Sequence, residues 1–328
     1  ISVDGQTLSA GHVLIAAGAH PAPVRFPGAE HLITSEQFMT LGHLPPRIAM
    51  VGGGYIAAEF SHIAARAGAK VTVLQRGPRI LPNFDPDLVS WLMEKFDELG
   101  IDVRTDHSVE AIERSGNAYR VHTTGENGNS AIDTDLVIHA AGRVPEIENL
   151  DLTAGDVALE NGKIQLNEFL QSVSNPIVYA AGDAASKGPP LTPVATQDGK
   201  VVAANLLDGN CKRPDYRGVP SVAFSLPPIA AVGLSEAVVR KHDAQVRIKC
   251  AKVPDWNTAK RVGESVYGYK TIVDARNDRI LGAHLVGPQA DEVINLFGLA
   301  IRYGLTASDL KEAIFAYPTG ASDLSHML

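Results

Sequence analysis

The chain has 328 residues, 45% hydrophobic and 20% charged, with a formal charge of −8. That length holds roughly two or three domains with their own cores, and the acidic balance leaves no basic footprint for nucleic acid or an anionic membrane surface. No apolar run reaches membrane length and no secretory signal is present, while Cys211 and Cys250 have neither redox nor metal spacing, so structural roles and a reducing cytoplasm are expected.

The first 30 residues read as a polar, hairpin-like piece followed by an apolar strand over 13–17, which ends in Gly18 and Pro21. The chain opens on Ile1 rather than Met, in a sequence that reads like the middle of a protein, so a truncated chain or a fragment is expected. Residues 31–46 form a connector stiffened by Pro45 and Pro46. The segment 47–79 then organises everything around it. A continuous apolar run at 48–51 suits a buried parallel strand, and Gly52, Gly53 and Gly54 follow at once. Ile56, Phe60, Ile63, Ala64 and Ala67 recur on one helical face, Gly68 supplies a left-handed stop, and 71–74 forms a second strand.

Strand, glycine turn, helix and strand in this register make one βαβ unit with the pattern GxGxxA. Gly52 allows the tight turn, Gly54 lets the backbone approach a pyrophosphate, and Ala57 is small enough for close packing. A dinucleotide would lay its pyrophosphate on the free N–H groups at the helix start, around Tyr55 and Ile56. Its identity depends on the end of the second strand. Sites for NAD usually carry Asp or Glu there, whereas this chain has Gln75, Arg76 and, three residues on, Arg79. Guanidinium groups suit a 2′-phosphate, so NADP is expected, although two arginines on a solvated loop would look the same.

Beyond Arg79, Asp85 is a helix N-cap with Pro86 at the first helical position. Leu88, Leu92, Phe96 and Leu99 share a face, and Gly100 ends the helix. Strands follow at 101–104, 109–114 and 119–123. The polar GENGNSAID segment makes the turn before another buried strand at 136–140, which runs into Gly142 and Arg143. A short strand at 177–180 meets Gly182 and Asp183. A proline-rich loop then leads into a helix over about 194–207. From about residue 214 the chain becomes α+β, with strands at 221–224, 270–273 and 280–286. An amphipathic helix over about 290–303 stops at Gly304, and Thr306 with Asp309 suggests a capping box for the last helix. The eleven histidines show no ligand spacing and no GxSxG elbow occurs, so no metal centre and no serine nucleophile are expected.

Several motifs in order carry a family resemblance: LIAAGAHP at 14–21, VGGGYIAAE at 51–59, AAGRVPE at 140–146, VYAAGDA at 178–184 and LTPVA at 191–195. VAFSLPPIAAVGLSE, ILGAHLVG and AYPT follow. The chain resembles the class I pyridine nucleotide-disulfide oxidoreductases, flavoproteins of the glutathione reductase, dihydrolipoamide dehydrogenase and mercuric reductase type, over essentially its whole length. The resemblance implies a Rossmann-like NAD(P) domain (32–150) inserted in a partial FAD domain (1–31 and 151–208), then a dimerisation domain (209–328). It implies FAD and NADP as cofactors, a homodimer, and a small-molecule or disulfide substrate.

Carried over by motif, Tyr55 would cover the flavin until nicotinamide displaces it. Glu59 would lie near the nicotinamide–flavin contact, paired in the family with a lysine that this chain lacks. Gly18, Gly142, Arg143 and Gly182 would belong to the cofactor cradle, and Asp183 would accept from the FAD ribityl chain. Leu191, Thr192, Pro193 and Ala195 would set a helix N-terminus beside the flavin. Each has a plainer reading, as first-turn helix residues or turn caps.

The sequence also departs from the family. The N-terminal FAD fingerprint and the CxxxxC pair are not among these residues. The C-terminal acid–base pair, His-Pro-Thr with Glu five residues past the His, is replaced by Tyr317, Pro318, Thr319 and Ser322, and Pro228 stands where an acidic residue is common. Tyrosine titrates near 10, so Tyr317 would be a poor base but could donate a proton or hydrogen bond. Asp323 adjoins the vacant Glu position, and His326 reads as a tail residue. The leading expectation is an NADPH-dependent flavoprotein oxidoreductase. The alternatives are a non-catalytic NADP-binding and dimerisation module and an NADH-linked lipoamide dehydrogenase-like enzyme.

Overall fold

The five-residue strands Arg47–Val51 and Lys70–Leu74, each mostly apolar after an opening cation, pair in parallel, as strands buried on both faces do. In the computed structural model, which describes residues 1–242 and 245–328, they are the centre of a four-stranded sheet. Leu136–His139 flanks the first strand and Asp102–Arg104 the second, all parallel. Ile33 adds a parallel bridge to Ile138 at the edge. The Tyr55–Arg66 helix crosses between the two central strands and ends on Gly68 at φ +94°. The Pro86–Glu98 helix is capped by Asp85, whose side chain accepts from the Asp87 amide, and the chain leaves it through Gly100 at φ +69°.

The chain packs as two units, Ile1–Ala22 with Arg143–Tyr216, and Pro23–Gly142 with Arg217–Leu328. In the first, Val13–Ile15 pairs in parallel with Val178–Ala180, and Ala19–Pro21 pairs with Arg143–Pro145. The Thr192–Asp208 helix adds Val201 and Val202 to its core. In the second, the parallel sheet is joined by a three-stranded antiparallel sheet (Ser108–Ser115, Ala118–Gly125, Gly128–Thr134). A five-stranded sheet runs in the order Ser221–Ala223, Ile229–Gly233, Ile280–Val286, Gly268–Asp274 and Val246–Lys252. Val293, Ile294 and Phe297 of the Ala290–Tyr303 helix pack on it. None of the helices, among the described residues, is long and apolar enough to cross a membrane.

Five local expectations are corrected. GENGNSAID is not one turn: Glu126 and Asn127 alone turn the chain, and Gly128–Thr134 is a polar edge strand paired along its length with Ala118–Gly125. The connector 31–46 contains a helix, Ser35–Met39, closed by a Thr34–Gln37 capping box. On the Tyr55–Arg66 helix, Ile63 is 51% exposed and Ala67 is also exposed, while Ser61 and His62 are fully buried. That helix is covered on two sides, so its buried face includes polar positions. Strands Ile229–Gly233 and Val246–Lys252 are additional to the three expected in the C-terminal part. Finally, both cysteines are exposed and unpaired rather than structural.

Polar groups also join the parts of the second unit. Lys270, 2% exposed, lies between Asp85 (2.9 Å), Asp87 (2.6 Å) and Glu236 (2.8 Å). Burial alone would lower its pKa, but hydrogen bonds to Asp87, Glu236 and Asp85 outweigh this and hold it above the usual lysine value. Lys270→Met leaves three carboxylates without their cation, and urea unfolding should show a loss of about 3–5 kcal/mol. A loss below about 1 kcal/mol would mean that the cation is dispensable.

His62 makes a second, pH-dependent contribution. Burial, reinforced by the nearby Arg66 charge, lowers it from 6.5 to about 4. The unfolded chain therefore binds the extra proton between these values. The stability from neutral His62 is complete above 6.5 and is lost as pH falls towards 4. Urea midpoints measured from pH 7 down to 4.5 should fall in the native chain and fall less in His62→Asn; parallel curves would refute the assignment.

Candidate functional site

The three consecutive glycines play different parts. Gly52 has φ +111°, and a Cβ there would lie 2.1 Å from the Ala140 carbonyl oxygen. At Gly53 a Cβ would meet Ile80 at 2.8 Å and the Gln75 side chain at 3.0 Å. Gly54 differs: φ is −87°, and the nearest atom to an added Cβ is the Ala140 oxygen at 3.9 Å. The turn is tied to its surroundings by Gly52 N–H to the Leu74 carbonyl (2.8 Å) and Leu81 N–H to the Gly53 carbonyl (2.7 Å). It sits at the carboxyl ends of the parallel strands, where open α/β sheets bind ligands.

Gly54 is the N-cap of the helix and offers no side-chain cap. The N–H groups of Tyr55, Ile56 and Ala57 have no partner one turn back and point out of the helix start with its positive dipole end. An anion fits this place. At the end of the next strand, the Gln75 side chain folds over Gly53 and Gly77. Arg79 donates to the Pro82 carbonyl at 2.8 Å. Arg76 is exposed and, among the described residues, makes no hydrogen bond or ion pair. Of the two expected arginines, only Arg76 has an uncommitted guanidinium. Gly142, at φ +105°, is exposed at the end of this unit.

Tyr55 and Glu59 face the C-terminal part of the same unit. The Tyr55 ring meets Phe84 edge-on at 5.4 Å, and its hydroxyl shares a hydrogen bond with Ser221. Burial raises its pKa. Glu59 accepts from the Phe224 amide at 2.9 Å, and burial raises its pKa too. This main-chain donor is the partner the structure gives Glu59. Neither Ser221 nor the Phe224 amide was anticipated, and only the tertiary fold brings them to this helix. His62 on the same face was also missed; its one sequence signal is a spacing of three from Glu59.

Tyr317 lies elsewhere in the unit. It is 77% exposed, precedes a cis Tyr317–Pro318 bond, and its hydroxyl is 3.4 Å from the Asn257 amide nitrogen. Asp323 is buried and accepts from the Tyr267 hydroxyl at 2.8 Å, so it already has a structural partner. His326 is exposed, and its ring approaches Trp256 at 5.8 Å.

The expected flavin residues lie in the other unit. Gly18, at φ +75°, turns the chain between the strands Val13–Ile15 and Ala19–Pro21, and its carbonyl accepts from Glu146 N–H at 2.9 Å. Arg143 donates to the Ala19 carbonyl. Gly182 packs so closely on Ala195 that a Cβ would come within 2.9 Å of that methyl, which joins the Gly182–Asp183 turn to the start of the Thr192–Asp208 helix. Leu191 is the N-cap without a side-chain cap, and Pro193 lies in the first turn. The half-buried Asp183 carboxylate has no hydrogen-bond partner among the described residues. Fully buried Asp198 accepts from Gly182 N–H (3.1 Å) and the Tyr216 hydroxyl (2.8 Å), and burial raises its pKa. The residues present suit an anionic, polar-edged cofactor: an open helix start, a free carboxylate and a tight glycine contact stand together. No group of three or more His, Cys, Asp or Glu among the described residues could hold a metal ion.

Residues 1–199 match the family profile for pyridine nucleotide-disulphide oxidoreductase, and residues 219–328 match the dimerisation domain of the same family. A glutathione reductase of Burkholderia cepacia is 37% identical over 325 residues, 98% of this chain and 71% of that protein. A mercuric reductase of Staphylococcus aureus is 34% identical over 327 residues, 99% of this chain but only 59% of its own length. Among solved structures, the HOCl-induced flavoprotein disulfide reductase RclA of Escherichia coli matches with a TM-score of 0.87 at 26% identity, over 96% of this chain and 72% of that one. Family members bind FAD and NAD(P)H, and glutathione reductase is NADPH-dependent. With its mixed α/β fold, its glycine turn and both profiles matched, the chain belongs to the pyridine nucleotide-disulphide oxidoreductase family.

Proposed function

We propose that this chain binds NADPH at the Gly52–Tyr55 turn, as part of an FAD flavoprotein oxidoreductase that passes hydride from NADPH to FAD and on to a disulfide or another two-electron acceptor. The observation that carries the reading is Gly54. Packing within the protein accounts for glycine at 52 and 53, but at 54 a side chain has free space and an ordinary φ. A glycine the fold does not need, in front of bare helix amides, suits a pyrophosphate pressed against the backbone. Arg76 is the proposed grip on the 2′-phosphate, because its guanidinium is uncommitted where an NAD site would carry an acid.

The proposed domain limits are 32–150 for nucleotide binding, 1–31 with 151–208 for the flavin side, and 209–328 for dimerisation, although residues 143–150 pack with 1–22 and 23–31 with the nucleotide side. Tyr55 and Glu59 are proposed to act at the nicotinamide end, and Gly18, Arg143, Gly182, Asp183 and Leu191 to Ala195 to hold the flavin. Tyr317 is the proposed donor where the family places a base, which argues against ordinary glutathione chemistry. A cytoplasmic home suits the two free thiols.

A second reading, a non-catalytic nucleotide-binding and dimerisation module, is favoured by one fact: Tyr317 is exposed and Asp323 is bound to Tyr267, so no free acid–base pair stands where the family carries one. Absorbance separates the two: a flavin band after loading with FAD supports the first reading, and a colourless sample that still binds NADPH supports the second.

Calorimetry of the full chain tests the nucleotide site. Gly54→Val should keep the melting temperature but lose NADPH affinity by about a hundredfold, and Arg76→Ala should weaken NADPH about tenfold while leaving NADH unchanged. Retained affinity in Gly54→Val would end the reading. Equal losses for both nucleotides in Arg76→Ala would remove the 2′-phosphate assignment. The C-terminal part exposes Leu299, Tyr303, Ile314 and Tyr317, apolar surface suited to a second copy of the chain. Sedimentation at micromolar concentration should give twice the chain mass, and a monomer there would contradict the homodimer.

A further inference from the structure

Three side chains on one face of the Tyr55–Arg66 helix hold main chain from the C-terminal part of the same unit. Glu59 Oε1 accepts from the Phe224 amide at 2.9 Å, and His62 Nδ1 accepts from the Leu226 amide at 3.2 Å. Arg66 Nη2 donates to the Leu226 carbonyl at 3.3 Å. Positions 59, 62 and 66 share a helical face, and amides two apart on extended chain point the same way. The helix therefore takes the place of a partner strand where the strand Ser221–Ala223 stops. The grip begins beside Ser221, the hydrogen-bond partner of Tyr55.

Packing alone does not ask for histidine at 62. The residue is fully buried against Phe96, with ring centroids 4.5 Å apart, and its Nε2 has no hydrogen-bond partner. An apolar side chain would fill the space without stranding a polar atom. What the ring supplies is a neutral acceptor for the Leu226 amide, which a leucine could not provide. Its low pKa, a consequence of burial, keeps Nδ1 available near neutral pH.

We propose that His62 is a positioning residue for the nicotinamide end of the nucleotide: by gripping the Leu226 amide it fixes the 224–226 main chain and, through Phe224, the orientation of the Glu59 carboxylate. Glu59 lies one turn, about 6 Å, along the helix from Tyr55 and the proposed pyrophosphate site. Its second oxygen has no partner among the described residues. A carboxylate held by one oxygen can accept from a primary carboxamide with the other. This inference rests on the Gly52–Tyr55 turn being a pyridine-nucleotide site.

The test compares two ligands on the full chain: NADP, and 2′-phospho-ADP-ribose, which lacks the nicotinamide. In His62→Leu the NADP dissociation constant should rise about tenfold and that of 2′-phospho-ADP-ribose stay within about twofold. His62→Asn, which keeps an acceptor near Nδ1, should recover most of the loss. Should His62→Leu not fold, Arg66→Met on the exposed end of the grip should show the same nicotinamide-selective loss, about two- to threefold. Equal weakening of both ligands, no weakening of either, or failure of asparagine to rescue would overturn the positioning role while leaving the nucleotide site intact. Native chain that binds neither ligand would instead overturn the site reading, and the inference with it.

Discussion

The site depends on one constraint, the approach of Gly52 to the Ala140 carbonyl. At φ +111° the chain leaves its strand in a direction that L-residues rarely take, and a Cβ would stand 2.1 Å from that oxygen. The same few residues are tied on every side. Gly52 donates to Leu74, Ala140 donates to Val51, and Gly53 accepts from Leu81. These bonds bring the ends of the parallel strands together and fix where the Tyr55–Arg66 helix begins. An open helix start at the carboxyl edge of the sheet is therefore a consequence of strand geometry, with no separate cap required.

The far side of that helix is supported by polar groups that an apolar core would not need. Glu59 and His62 hold the main chain after Ser221–Ala223, and Lys270 links the Asp85 cap of the next helix to Glu236 at the start of the Glu236–Lys241 helix. Buried ions are poor sources of net stability, because desolvation offsets much of their attraction. Their directional bonds do fix one arrangement among several that apolar packing would tolerate. Here they set the register between the four-stranded parallel sheet and the five-stranded sheet, both parts of one unit.

Much of this fold was legible in the sequence, and the exceptions have common physical causes. The βαβ unit around Gly52, the Asp85–Pro86 helix start and the Gly68, Gly100 and Gly304 stops are local signals, written in residues a few positions apart. Gly128–Thr134 was not legible, because an exposed edge strand takes its shape from its neighbour and carries no apolar alternation. The exposure of Ile63 and the burial of His62 were hidden for a related reason: the helix is covered by sequence more than 150 residues away, as the Phe224 and Leu226 bonds show. For the site, the glycines and Arg76 could be picked from spacing. Spacing could not reveal that Arg79 is tied to Pro82, or that Glu59 is held by the Phe224 amide.

Function is best sought in the residues that the protein does not use on itself. Arg79 serves the Pro82 carbonyl, Asp323 serves Tyr267, and Asp198 serves Gly182 and Tyr216; each is explained without a ligand. Gly54, Arg76, the second oxygen of Glu59 and the Asp183 carboxylate are not explained in this way. The three polar groups reach solvent and are free to bind an outside partner, and the glycine adds only freedom to the unfolded chain. Three of these four lie in the Gly52–Arg76 stretch, the place of the proposed nucleotide site. Near the C-terminus, by contrast, Tyr317 is exposed and Asp323 is committed to the fold. The groups left free therefore favour the proposed intake of reducing equivalents over an acid–base pair of the family's histidine–carboxylate kind.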